Sequence, residues 1–129
     1  MDNLSAFIHF LLEKKYTLIE DNKQLKIVTY QLNGLFVQIV QERNFDHFIS
    51  ISRTNNHNWE GWYSMDTARF LILQEHYQLD RNYKFEQLSR FFMDYYNEII
   101  KAFSLVNFPA SENILDTLQK ERAKALFGY

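Results

Sequence analysis

His57, Glu60, Asp66, Glu75 and His76 are the residues whose types are best suited to chemistry. Imidazole together with carboxylate oxygens can hold a divalent metal or move protons near neutral pH. The spacing places them on a polar loop and on the helix that follows it, close enough in sequence to converge. Solvated loop and helix residues give the same pattern, because spacing alone shows neither convergence nor a perturbed group. Asp66 also has a structural use as a helix cap and as the i, i+3 partner of Arg69. His9 and His47 add nothing to the group. No two of the four histidines stand at the i, i+4 spacing of paired metal ligands, and the chain has neither a His-Glu-x-x-His run nor a glycine-rich phosphate loop.

Nucleophilic chemistry has less support. The chain has no cysteine, which excludes a thiol nucleophile, a thiolate zinc site and a disulfide framework. Ser50, Ser52, Ser64 and Ser104 lack the glycine-framed elbow of an activated serine, and the only glycines are Gly34, Gly61 and Gly128. The sequence therefore assigns no catalytic residue, no metal ligand and no cofactor. A small enzyme or metal-binding protein built on the His57 to His76 group is kept as an alternative.

The aromatic content is the unusual quantity. Phe, Tyr and Trp make up 17% of 129 residues, and three of them fall within Asn58-Trp59-Glu60-Gly61-Trp62-Tyr63. Strict alternation through an edge strand over Trp59 to Tyr63 sends Trp59, Gly61 and Tyr63 to one face and Trp62 to the other. One of those faces is core, so a Trp or Tyr is expected at the surface unless helices cover both sides. Surface Trp and Tyr are characteristic interface anchors. Stacking of nucleobases on the same rings is disfavoured, because the net charge is −2 and acidic and basic residues alternate rather than forming a basic groove. The mixed run Lys120-Glu121-Arg122-Ala123-Lys124 reads as a solvated helix face.

These residues are positioned by elements the pattern makes plain. Asn33-Gly34 between two strand-like runs, Lys26 to Leu32 and Leu35 to Glu42, predicts a two-residue type I′ hairpin. Its register pairs Leu32 with Leu35, Tyr30 with Val37, Val28 with Ile39 and Lys26 with Gln41. The opposite face carries Gln31/Phe36, Thr29/Gln38, Ile27/Val40 and Leu25/Glu42, a mixture of apolar and polar residues. Before the hairpin, Asp2 or Asn3 caps a helix with the stripe Leu4, Phe7, Ile8, Leu11 and Leu12, ending near Lys15, and Tyr16 to Glu20 is a short strand. After it, Asp46 to Arg53 alternates as a further antiparallel strand.

The second half reads as helical. Ser64 or Asp66 caps a helix through Tyr77. Phe85, Leu88, Phe92, Tyr95, Ile99 and Phe103 form a stripe three and four apart over about five turns. Asn107-Phe108-Pro109 breaks that run, and Ser111 caps a last helix carrying Ile114, Leu115, Leu118, Ala125 and Leu126. The expected fold is one α+β domain over residues 1–129: an N-terminal helix, an antiparallel β-meander of four to five strands, then about three segregated helices in two layers.

The N-terminus lacks a basic segment and Phe7 to Leu12 soon meets charge, so neither a signal peptide nor a membrane span is expected; together with the absence of cysteine this suggests the cytoplasm. The expected function is a non-enzymatic protein-binding module, by analogy of size and class an immunity or antitoxin-type inhibitor that occludes a cognate toxin. Trp59, Trp62, Tyr63, Phe36 and Phe48 would be the anchors, and Glu42, Asp46, Glu60 and Asp66 an acidic rim steering a basic partner. A secretion chaperone or dimeric adaptor is the alternative within binding proteins, with monomer and homodimer left open.

Overall fold

The computed structural model describes residues 2–41, 46–56, 59–75 and 84–128. They form an α+β fold in the expected order, with α1 (Asn3–Glu13), β1 (Thr17–Asn22), β2 (Ile27–Leu32), β3 (Leu35–Gln41), β4 (His47–Ser52), β5 (Trp62–Ser64), α2 (Met65–Leu73), α3 (Phe85–Asp94), α4 (Tyr96–Ala102) and α5 (Phe108–Phe127). The sheet is a sequential antiparallel meander, β1-β2-β3-β4-β5. Glu42, a position in the expected acidic rim, lies outside the described residues, as do His57 and His76.

The hairpin has the predicted register. Leu32 faces Leu35, Tyr30 faces Val37 and Val28 faces Ile39, with Thr29 opposite Gln38 on the other side. Asn33 at φ 52° and Gly34 at φ 77° supply the positive φ values that the turn needs. The core lies on one side of the sheet. Tyr30, Val37, Ile39, Ile49, Ile51 and Tyr63 pack there against Phe7 and Leu11 of α1, Met65 and Ala68 of α2, and Phe85, Leu88 and Phe92 of α3. Edge-to-face ring pairs bind the helices to one another, with Phe7 centroids 5.1 Å from Phe92 and 5.8 Å from Phe85.

Four local expectations are corrected. Trp59 is not in a strand: β5 begins at Trp62, and Trp59 sits before it at φ 69°. α2 ends at Leu73 rather than Tyr77, because Gln74 takes a left-handed conformation at φ 55° and its N–H closes back on Leu71. The long stripe is two helices, α3 and α4, hinged at Tyr95 (φ −109°, ψ 25°). The bend turns Tyr95 outward, 38% exposed, and lets Tyr96 take the inward place, edge-on to Phe10 at 5.3 Å. Finally, Pro109 lies in the first turn of α5 instead of preceding it. In the first turn a proline's missing N–H costs nothing, so Asn107 is the cap and Ser111 is buried inside the helix.

Candidate functional site

The second face of the sheet, away from the helices, is built from cross-strand rows. Glu20 faces Thr29, Thr29 faces Gln38, Gln38 faces Ser50 and Ser50 faces Ser64, so one polar row crosses all five strands. Ile27, Val40 and Phe48 make an apolar row on one side of it, and Gln31, Phe36, Ser52 and Trp62 a mixed row on the other. This is the mixed face that the hairpin register implies.

Residues 53–56 and 59–61, between β4 and β5, reach that face and are tied to β4 and β5 by hydrogen bonds. Ser52 Oγ donates to the carbonyl of Gly61 at 2.7 Å and accepts the Thr54 N–H at 3.0 Å. Asn56 Nδ2 donates to the Glu60 carbonyl at 3.3 Å, and the Trp62 indole N–H donates to the Asn56 carbonyl at 3.0 Å. Gly61 is required by this closure, since it stands at φ 79° and a Cβ there would lie 2.9 Å from Thr54 Oγ1. Within this frame Trp59 is held in the left-handed region, at a cost of about 1–2 kcal/mol for an L-residue, and the residue remains 50% exposed.

Trp59 borders a pocket of about 90 Å³ lined also by Glu20, Asn22, Leu25, Ile27, Gln38, Asn55 and Asn56. Gln38 is 5% exposed. Its Nε2 donates to Thr29 Oγ1 at 3.3 Å, while its buried Oε1 has no hydrogen-bond partner. A buried carbonyl left in that state carries a desolvation cost of about 1–3 kcal/mol until something donates to it.

The other expected contact residues fall in different places. Phe36 and Phe48 are half-buried on the second face. Trp62 shares that face but is 7% exposed and spends its indole N–H on the loop. Tyr63 points the other way, into the core, and its hydroxyl donates to Asp116 Oδ1 at 2.8 Å. Asp66 opens α2, accepts the Thr67 N–H at 2.9 Å and faces Arg122 of α5 at 3.8 Å. Glu60 is exposed in the loop, and Asp46 precedes β4 at the far end of the sheet beside Lys84 and Glu86. The structure thus gathers Trp59, Trp62, Phe36 and Phe48 on one face and leaves Asp46, Tyr63 and Asp66 away from it.

Of the five residues singled out for chemistry, Glu60, Asp66 and Glu75 are described. No group of three or more His, Cys, Asp or Glu among the described residues is placed to hold a metal. The groups with clearly raised pKa values are tyrosines in structural roles. Burial pushes Tyr16 and Tyr63 well above the ordinary phenol range, and burial raises Tyr30 and Tyr96 as well. A larger cleft of about 340 Å³ opens on the helix side between α1 and the hairpin, lined by Leu4, Ile8, Val28, Ile39, Gln41 and His47 among others. It offers apolar surface with one imidazole, and Asp21, Lys23 and Lys26 at its rim.

Sequence reasoning missed Glu20, Asn55 and Asn56, and it placed Gln38 only as a polar member of the mixed face. The paired asparagines before Trp59 are a loop signal, but nothing in one dimension aims that loop back across β2 and β3. No helix of the described residues is long and apolar enough to cross a membrane. Comparison with protein-family models finds no match, and neither do the searches of curated proteins and of solved structures.

Proposed function

We propose that this chain is a non-enzymatic protein-binding module that uses the second sheet face, with Trp59 as its anchor. The observation that carries the reading is Trp59 itself: a large aromatic ring, half exposed, held at a strained φ by a hydrogen-bonded loop. Half of that ring surface is left to solvent although the backbone beneath it is strained, and a rigid aromatic anchor of that kind is what a binding hot spot requires. The occupant is a basic protein surface. Glu20 lines the pocket beside the anchor and Glu60 follows it in sequence, no Lys or Arg lines that pocket, and the chain carries a net charge of −2. Within the class we favour an immunity or antitoxin-type inhibitor that occludes a cognate toxin, working as a lid over the partner's surface.

The test is capture from the native host with a tagged chain, followed by affinity measurement on the purified pair. The expected result is one stoichiometric basic partner whose complex weakens by about 2 kcal/mol or more in Trp59→Ala, with the variant's own stability little changed. Partner-free protein, or a partner bound equally well by the folded variant, would overturn the reading.

A second reading, a dimeric adaptor or secretion chaperone, is favoured by a separate observation. Leu105 and Val106, between α4 and α5, are 78% and 89% exposed, and Phe127 at the end of α5 is largely exposed too. A second copy of the chain could cover such residues, so mass in solution discriminates: an obligate dimer supports the adaptor and a monomer the inhibitor.

A further inference from the structure

We infer that the pocket beside Trp59 is a seat for the guanidinium group of an arginine on the partner protein. The inference rests on the second face being the contact surface and goes further by naming the group it receives.

The pocket is lined by one carboxylate and by no Lys or Arg. Gln38 Oε1 is buried and unpartnered, Glu20 brings a carboxylate that makes no ion pair with any described residue, and Trp59 brings an aromatic ring. Asn22 and Asn56 are already spent in part: Asn22 Oδ1 accepts the Leu25 N–H at 2.9 Å, and Asn56 Nδ2 donates to the loop. What is missing is a positive charge opposite Glu20 that also donates to Gln38 Oε1 and can lie flat against an indole. Arginine is the side chain with all three properties, for its guanidinium is planar, always charged and carries five donors. A lysine ammonium supplies charge and donors but no plane to stack. A carboxylate would be repelled by Glu20 and would leave Gln38 Oε1 unpaired.

Size agrees. The pocket of about 90 Å³ is several times the about 10–15 Å³ that admits one water, which leaves room for a planar head group. The polar row explains why the seat lies here. Thr29 holds the Gln38 amide through Nε2, so the carbonyl end is fixed in advance rather than recruited on binding.

The test is a titration of the full isotope-labelled chain with N-acetyl-arginine amide, followed in amide and indole N–H spectra. Its neutral isostere N-acetyl-citrulline amide and the anion N-acetyl-aspartate amide serve as controls. The expected result is a saturable millimolar interaction whose shifts centre on the Trp59 indole and the Gln38 side-chain amide. Glu20→Gln, which keeps the shape and removes the charge, should weaken it about tenfold, and Trp59→Ala by at least as much. Citrulline binding as well as arginine, aspartate binding in its place, or no saturable shift with arginine would overturn the assignment and leave a pocket that holds water only.

The same variants separate this inference from the reading beneath it. A captured partner weakened by Trp59→Ala but indifferent to Glu20→Gln keeps the face and loses the arginine seat. Saturable arginine binding in a chain whose partner ignores Trp59→Ala keeps the seat and loses the face.

Discussion

The Tyr63 hydroxyl donates to Asp116 Oδ1 at 2.8 Å, joining the last strand of the sheet to the middle of the long C-terminal helix. The two residues are 53 positions apart. Gln119 Nε2 reinforces the link by donating to the Trp62 carbonyl at 3.2 Å, so α5 is held to β5 by two side chains one turn apart. Tyr63→Phe keeps the ring in the core and removes one bond to a solvent-accessible carboxylate, which leaves no buried orphan. It should lower stability by about 1 kcal/mol, read as a smaller urea midpoint with an unchanged slope.

Alkaline pH should act through the buried phenols. Burial raises the folded-state pKa of both Tyr16 and Tyr63 above the ordinary value of 10.0, so the fold favours the protonated form. Their contribution is complete below pH 10 and is lost as pH climbs from there towards the folded values, where the unfolded chain ionises first. Each phenol lowers stability by up to about 1.4 kcal/mol per pH unit in that window. Urea midpoints measured against pH should fall there, and Tyr63→Phe should make the fall shallower. A flat profile would show that these hydroxyls reach water in the folded state.

Two glycines with similar φ should respond differently to alanine. At Gly34 the added Cβ meets Arg53 at an ordinary 3.5 Å, so only conformational strain is incurred, about 1 kcal/mol. At Gly61 the Cβ would lie 2.9 Å from Thr54 Oγ1, inside the closure of the β4–β5 loop. Gly61→Ala should therefore cost more than Gly34→Ala. Adding Thr54→Ala should recover part of the excess, a coupling that a double-mutant cycle measures directly.

The two tryptophans should separate stability from binding. Trp62 is buried and bonded to the loop, so Trp62→Ala should cost about 3–5 kcal/mol. Trp59→Gly should leave stability within about 1 kcal/mol of the parent, because glycine takes φ 69° without steric cost. Thermal unfolding of the two variants side by side decides it, and a large loss from Trp59→Gly would mean that the exposed ring is a structural support.

The hairpin register was legible to the residue because Asn33-Gly34 admits one tight turn and the side-chain period then dictates every pair. α1 was legible for a similar reason: Asp2 accepts the Ser5 N–H at 2.7 Å, and the apolar stripe needs one neighbour to cover it. The break at Tyr95 was not legible. The three-and-four spacing fits a continuous helix equally well, and which of Tyr95 and Tyr96 turns inward depends on Phe10 and Tyr16, which stand about eighty residues earlier. Trp59 was misplaced for the opposite reason. Alternation assumes extended backbone, and a positive φ at a tryptophan is a local defeat that only the loop's hydrogen bonds to Ser52 and Asn56 explain. The pocket was illegible for the same reason, since a strand-paired Trp59 gives no ground for placing it beside Glu20 and Gln38.

Because every strand pairs with its neighbour in sequence, the sheet can assemble by zipping outward from Asn33-Gly34 with only short loops to close, and none of these pairings awaits a distant part of the chain. The helical layer is different. α1 must meet α3 across the whole meander, Phe7 against Phe85 and Phe92, so its docking is the long-range step. The arrangement predicts an order of events: a hairpin that forms early and presents its apolar side, and an N-terminal helix that closes over it only once the chain has delivered α3.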